Sequence, residues 1–115
     1  MSKPVGPYSP VVRAGDWVIV SGQVGLADGA LADGVAAQTT QAIVNVRGHL
    51  ESVGVTLDDV AKTLCFLVDM NDFATFNEAY VAGFGDHRPA RSTIGVAALP
   101  IGASMELEAW AYKPA

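Results

Sequence analysis

The stretch VAKTLCFLV, residues 60–68, decides the fold. Read with a period of two, it puts Leu64, Phe66 and Val68 on one side and Cys65 and Leu67 on the other. Both sides are apolar, so this is a strand that wants cover on each face. Just downstream the period changes. Phe73, Phe76, Tyr80 and Phe84 recur at helical spacing, which predicts a helix over 71–84 with Asn71 or Asp69 as its N-cap. Just upstream, Thr56-Leu57-Asp58-Asp59 reads as a capped turn that feeds the strand.

Further toward the N-terminus, Ala36, Thr39, Ile43, Val46, Leu50 and Val53 mark an amphipathic helix over 35–53. Gly54 stands where a left-handed residue closes it. The segment PVVRAGDWVIVS, residues 10–21, reads as a hairpin of Val11 to Ala14 and Trp17 to Val20 about Gly15-Asp16. Between hairpin and helix lies GQVGLADGALADG, a loop with a short strand near Ala30 and Leu31. Toward the C-terminus, strands are expected over 91–96 and 104–112, joined through Pro100 and Gly102. The order ββ(β)–α–β–α–ββ predicts an α+β protein: a single mixed sheet with two helices on one face. The strands at 17–20 and 60–68 are apolar on both sides, so the second face also needs cover, and obligate oligomerisation follows as an expectation. A cyclic trimer with its sheets lining a central barrel fits, though pattern alone does not set the symmetry.

At 115 residues the chain is read as one domain, 1–115, with no repeat, low-complexity tract or linker. Half its residues are hydrophobic, which permits an ordinary core without disulfides or metal. The single cysteine, Cys65, cannot pair internally and suits a reducing cytoplasm. The opening MSKPVGPYSP lacks the apolar run of a signal peptide, and no segment reaches the ~18 apolar residues of a membrane span. A soluble cytoplasmic protein with no membrane association is expected. Seven basic residues are outnumbered by twelve acidic ones, giving a net charge of −5, so no nucleic-acid partner is expected.

Most standard catalytic patterns are absent. One Cys and two His with no close pairing argue against zinc, so no metal site is expected. There is no nucleophile elbow, phosphate loop or dinucleotide fingerprint. His49, within the first helix, is expected at the surface. His87, beside Asp86 and Arg88, is expected to be solvated, and Cys65, mid-strand in apolar company, to be inert. What remains is polar residues set against the grain of the sheet. Alternation puts Arg91 and Thr93 on one face of their strand, with Ser92, Ile94 and Val96 on the other. In the last strand Met105, Leu107, Ala109 and Ala111 form an apolar face opposite Glu106 and Glu108. Two readings stand side by side. One is a solvated edge where Arg and Glu pair weakly. The other is a site in which a guanidinium fork grips a carboxylate while a desolvated carboxylate moves protons to and from water.

At these residues the chain closely resembles the RidA/YjgF family of reactive-intermediate deaminases, members of which have also been labelled liver perchloric-acid-soluble proteins and endoribonucleases. The resemblance runs through GPYSP at 6–10, VSGQ at 20–23, QAIVNV in the first helix, VAKTLCFLVDMNDFATFNEAY at 60–80, PARST at 89–93 and MELEAWA at 105–111. It implies a fold similar to chorismate mutase and a homotrimer with clefts between adjacent subunits. It implies a 2-iminobutanoate/2-iminopropanoate deaminase-like hydrolase that turns 2-aminoacrylate-type enamines and imines into 2-oxo acids and ammonia without a cofactor. On matching positions it implies that Arg91 clamps the substrate carboxylate, Glu106 orients or activates water, and Tyr8 lines the pocket and hydrogen-bonds the ligand. Ser21, Gly22 and Asn77 would shape the cleft. Thr93 stands where many relatives carry Cys. The loop GFGDHRPARS is shorter than in typical members, and Arg88 replaces a common Phe, adding a second positive charge that favours a larger or doubly anionic ligand. Two other functions stay open: an endoribonuclease using His87 with Arg88 and Arg91, and a noncatalytic metabolite-binding or interaction protein.

Overall fold

The computed structural model describes residue 4 and residues 6–115. Met1 to Lys3 and Val5, part of the opening stretch read above for a signal peptide, lie outside the described residues. Among the described residues, β1 (Val11–Ala14), β2 (Trp17–Gln23), β5 (Val60–Leu67), β6 (Ala90–Gly95) and β7 (Met105–Tyr112) form one sheet of order β1-β2-β7-β5-β6. All its pairings are antiparallel except β5 with β6, so the sheet is mixed. A small hairpin, β3 (Leu26–Ala27) with β4 (Ala30–Leu31), lies outside it. The expected strand near Ala30 and Leu31 thus has a partner that the glycine-rich sequence did not announce.

Helices α1 (Val35–Glu51) and α2 (Phe73–Phe84) cover one face. Val18, Val20, Cys65, Leu67, Met105, Leu107, Ala109 and Ala111 meet Ala42, Ile43, Val46 and Leu50 of α1 and Phe76, Tyr80 and Phe84 of α2 in one buried cluster. The apolar alternation of β7 and the aromatic stripe of α2 therefore do what their periods dictate. Gly54 takes a positive φ of 77° after α1, and the Val55 amide donates back to the Leu50 carbonyl at 3.0 Å. Asp69 caps a short 3-10 turn, Met70–Asp72, accepting from the Asn71 amide at 2.9 Å; α2 itself starts from Asp72, without a side-chain cap, so neither expected residue is its N-cap. The Thr56 amide donates to Asp59 Oδ2 at 3.0 Å, closing the turn before β5.

The sheet's other face carries Val12, Trp17, Ile19, Ile94 and Tyr112, all exposed, with Leu64, Phe66 and Trp110 half-buried among them. Trp17 and Tyr112 pack edge to face at 5.2 Å between ring centres. Two expectations need correction. Helix α1 stops at Glu51, and Val53 is exposed. His49 is 1% exposed, not a surface residue, because the face that α1 buries is wider than its apolar stripe and takes in Gln38, Asn45 and His49. Burial pushes the His49 imidazole below its ordinary pKa. No helix among the described residues is long and apolar enough to cross a membrane.

Candidate functional site

Glu106 stands on β7, a central strand, on the face away from the helices. Its neighbour β2 is irregular there. Val20 pairs with Ala109 and Gln23 with Leu107, so Ser21 and Gly22 share the interval that β7 spans with Glu108 alone. The bulge brings the Gly22 backbone against Glu106: a Cβ at that position would fall 2.5 Å from Oε2. A side chain here would push the Glu106 carboxylate out of its place, and glycine leaves it room. Ser21 does a different job. Its Oγ donates to the Ser9 carbonyl at 2.7 Å and its amide to the Pro10 carbonyl at 2.9 Å, fastening the Gly-Pro-Tyr-Ser-Pro segment along β2. Tyr8 is thereby held at a concavity it shares with Pro10, Gly22, Val24, Pro100 and Glu106. Burial, and then the neighbouring Glu108 charge, raise the Glu106 carboxyl above the usual carboxylate range.

Arg91 lies elsewhere. It sits on edge strand β6, on the helix-covered face with Thr93, as its alternation required. Its guanidinium carbon lies 5.7, 5.5 and 4.8 Å from the ring centres of Phe73, Phe76 and Tyr80. These rings attract the cation through their π faces. Among the described residues Arg91 has no hydrogen-bond or ion-pair partner. On α2, Asn77 Oδ1 is buried without a hydrogen-bond partner, and so is Thr93 Oγ1, whose strand position puts it beside Cys65. The Tyr80 hydroxyl and Thr63 Oγ1 share a buried hydrogen bond of 2.7 Å. Burial raises the Tyr80 phenol, while the hydrogen bond with Thr63 and, to a lesser degree, the charges of Arg91 and Arg88 pull it back down. Burial pushes the Cys65 thiol up to about 11, as expected of an inert thiol.

The predicted set therefore divides. Tyr8, Ser21, Gly22 and Glu106 come together; Arg91 and Thr93 share a face of β6, against the helix α2 that carries Asn77; one chain does not join the two groups. In register Arg91 aligns with Thr63 and Ala109, whereas Glu106 aligns with Phe66 and Ile94, on the opposite face. Two ladder spacings, about 10 Å, separate their strands. Arg88 closes on its own loop, donating through Nη1 to the His87 carbonyl at 2.9 Å and to the Gly85 carbonyl. The expectation of a solvated His87 is corrected. Its Nε2 lies 2.7 Å from the Val60 carbonyl oxygen and its ring stands beside Phe84, so it ties the loop after α2 to the head of β5. Sequence reasoning missed the polar residues of α1 near the acid group: Asn45 lines the same concavity as Glu106. Gln38, Gln41 and Asn45 recur at spacings of three and four, and that polar repeat beside the apolar stripe was the available signal.

A mixed sheet of this order with two helices on one face, an acid beside a strand bulge and a guanidinium on an edge strand define an α+β protein of the RidA/YjgF kind. The chain belongs to the family described as Endoribonuclease L-PSP, whose profile matches residues 1–113. It is 42% identical over 114 residues to the 2-iminobutanoate/2-iminopropanoate deaminase of Salmonella typhimurium, covering 95% of this chain and 89% of that protein. The crystal structure of RidA from the Antarctic bacterium Psychrobacter sp. superposes with a TM-score of 0.92 at 39% identity, over 96% of this chain and 91% of the other. That of E. coli TdcF with bound serine gives 0.91 at 35% identity, over 96% and 91%.

Proposed function

We propose that this protein hydrolyses 2-imino acids and their enamine tautomers to 2-oxo acids and ammonia, as a homotrimer whose sites form where two subunits meet. One observation carries the reading: Arg91 is a half-buried cation, cradled by three aromatic rings, with no acid paired to it among the described residues. Such a group is an anion site in waiting, and a guanidinium fork matches a carboxylate in bidentate fashion. Asn77 Oδ1 on α2, and Thr93 Oγ1 on the Arg91 face of β6 near Cys65, are buried with no well-formed hydrogen bond among the described residues and offer further polar atoms to a small ligand. The relatives support the same chemistry, one by its deaminase name and one by its bound serine, an amino acid with a carboxylate of this size.

The reaction needs water to add to a C=N carbon, after which nitrogen leaves. Arg91 fixes the carboxylate and so the position of the adjacent carbon, a proximity effect. Glu106, as the carboxylate, takes a proton from the attacking water. The carbinolamine formed has a hydroxyl and an amino group on one carbon. Glu106 returns the proton to nitrogen; as the C–N bond breaks, the hydroxyl gives its own proton to the regenerated Glu106 carboxylate, and ammonia leaves a 2-oxo acid. A carboxyl raised above its ordinary range by burial is better matched to both transfers than a solvated one. Tyr8 stands beside the acid as a hydrogen-bonding wall. Cation and acid lie on opposite faces of one subunit's sheet, so a shared substrate requires the Arg91 group of one copy and the Glu106 group of the next. The exposed apolar residues of the open face favour such association, as does the resemblance to a trimeric family whose sheets line a central barrel. The proposed compartment is the cytoplasm, and no cofactor is invoked.

Freshly generated 2-iminopropanoate, followed by ammonia release above the spontaneous rate, tests this. Arg91→Ala should remove the acceleration while the oligomer, sized by light scattering, persists. Undiminished ammonia release by that variant, or a monomeric wild-type protein with full activity, would overturn it.

A further inference from the structure

The interior of the molecule holds a polar column that core packing does not call for. Gln38, Gln41 and Asn45 occupy one side of α1; Gln38 and Asn45 are buried and Gln41 is half-buried. Asn45 uses both amide protons, donating through Nδ2 to the Val24 carbonyl at 3.1 Å and the Leu26 carbonyl at 3.0 Å. Its orientation is set from the far side, where Gln41 Nε2 donates to Asn45 Oδ1 at 2.9 Å. An amide turned the other way would aim oxygen at two carbonyls. One turn earlier, Gln38 Oε1 accepts from the Ser104 amide at 2.9 Å, two residues before Glu106. Gly25 lies directly on the helix there, with room for no side chain: a Cβ would meet Gln38 Cα at 2.4 Å.

These bonds fall on the two chain segments that meet at Glu106. Residues 24–26 continue from the bulge that presses Gly22 onto the carboxylate, and Ser104 immediately precedes the strand that carries it. We infer that Asn45, oriented by Gln41 and seconded by Gln38 on the preceding turns of α1, is a positioning residue: it holds residues 22–26 closed against β7, so that the Glu106 carboxylate keeps its place against Gly22 in the concavity shared with Tyr8. The inference rests on the reading of Glu106 as the proton-transfer group. It adds a residue whose hydrogen bonds go to the backbone and to Gln41 rather than to the acid. Loss of the two carbonyl bonds frees residues 24–26 to move outward, water enters beside Glu106, and the burial that raises its carboxyl weakens.

The test is a direct titration of Glu106 in the assembled protein, by carbon-13 NMR of its side-chain carboxyl, with Glu106→Gln to assign the signal. In Asn45→Ala the midpoint should move down toward the ordinary carboxylate range. The acidic limb of the kcat profile should follow it, and kcat should fall roughly tenfold while KM for the imino acid holds. Gln41→Ala keeps the Asn45 donors and removes only what orients them; it should fold even where Asn45→Ala does not, and shift the midpoint the same way by less. Wild-type titration in both variants, or in Gln41→Ala alone if the other fails to fold, would overturn the inference, as would a loss seen only in KM. The titration reads out without turnover, so it separates failure of this inference from failure of the deaminase assignment, which Arg91→Ala and ammonia release decide.

Discussion

The acid group and the cation group are held by opposite means. Glu106 stands on a strand with partners on both sides, and its surroundings are backbone: the Gly22 bulge, the Ser21 bonds to Ser9 and Pro10, and the carbonyls gripped by Asn45. Arg91 stands on a strand paired only with β5, and its surroundings are side chains, three aromatic rings that pull on the guanidinium without fixing its rotation. A carboxylate that must meet water at a set angle benefits from a hydrogen-bonded frame. A guanidinium that must accept acids of varied shape benefits from a smooth platform. Rigidity on one side and tolerance on the other is what the contrast teaches.

The contrast can be broken most severely at its acid end. Glu106→Gln should lower kcat by about two orders of magnitude with little change in KM, measured by ammonia release from a fixed imino acid. On the cation side, Arg91→Lys keeps the charge and loses the fork, so KM should rise roughly tenfold while kcat changes less. The platform itself is part of the core. Phe76 is fully buried, and Phe76→Ala should cost about 3–5 kcal/mol in a denaturant melt. Ile94→Ser, on the exposed face, should cost a subunit under about 0.5 kcal/mol and show itself instead as weakened association in sedimentation.

A smaller effect concerns pH. Because the folded protein holds Glu106 at a raised pKa, the fold binds that proton more readily than the unfolded chain does. The linked stability is present at low pH and is lost as pH rises through the folded value. Activity runs the other way, since the base must be ionised, and should fall as pH drops through the same value. Glu106→Gln should therefore melt slightly higher than the wild type near neutral pH, with the gain vanishing in acid.

The order of elements was readable because each carries its own period, and the faces of β5, β6 and β7 followed from alternation alone. Arg91 with Thr93, and Glu106 opposite the apolar side of its strand, were both legible in that way. Their separation was not. Which face Arg91 shares with which residue of β7 depends on β7 lying between β2 and β5, and on β6 running parallel at the edge. Alternation says nothing about pairing. His49 and Asn45 were lost for another reason. A helix buries a face chosen by what packs on it, and polar residues belong to that face when backbone carbonyls wait for them, as Val24 and Leu26 wait for Asn45.

The extra residue in β2 has a further consequence. A regular strand passing Glu108 would offer one outward position, and the protein has two tasks for it: to fasten the segment bearing Tyr8, and to leave a gap for a carboxylate. One side chain cannot both reach out and be absent. By inserting one residue the strand divides the labour between serine and glycine, and Gln23 still returns to its place opposite Leu107. A single deletion at this point would leave the sheet in phase and force a choice between the clasp and the hollow.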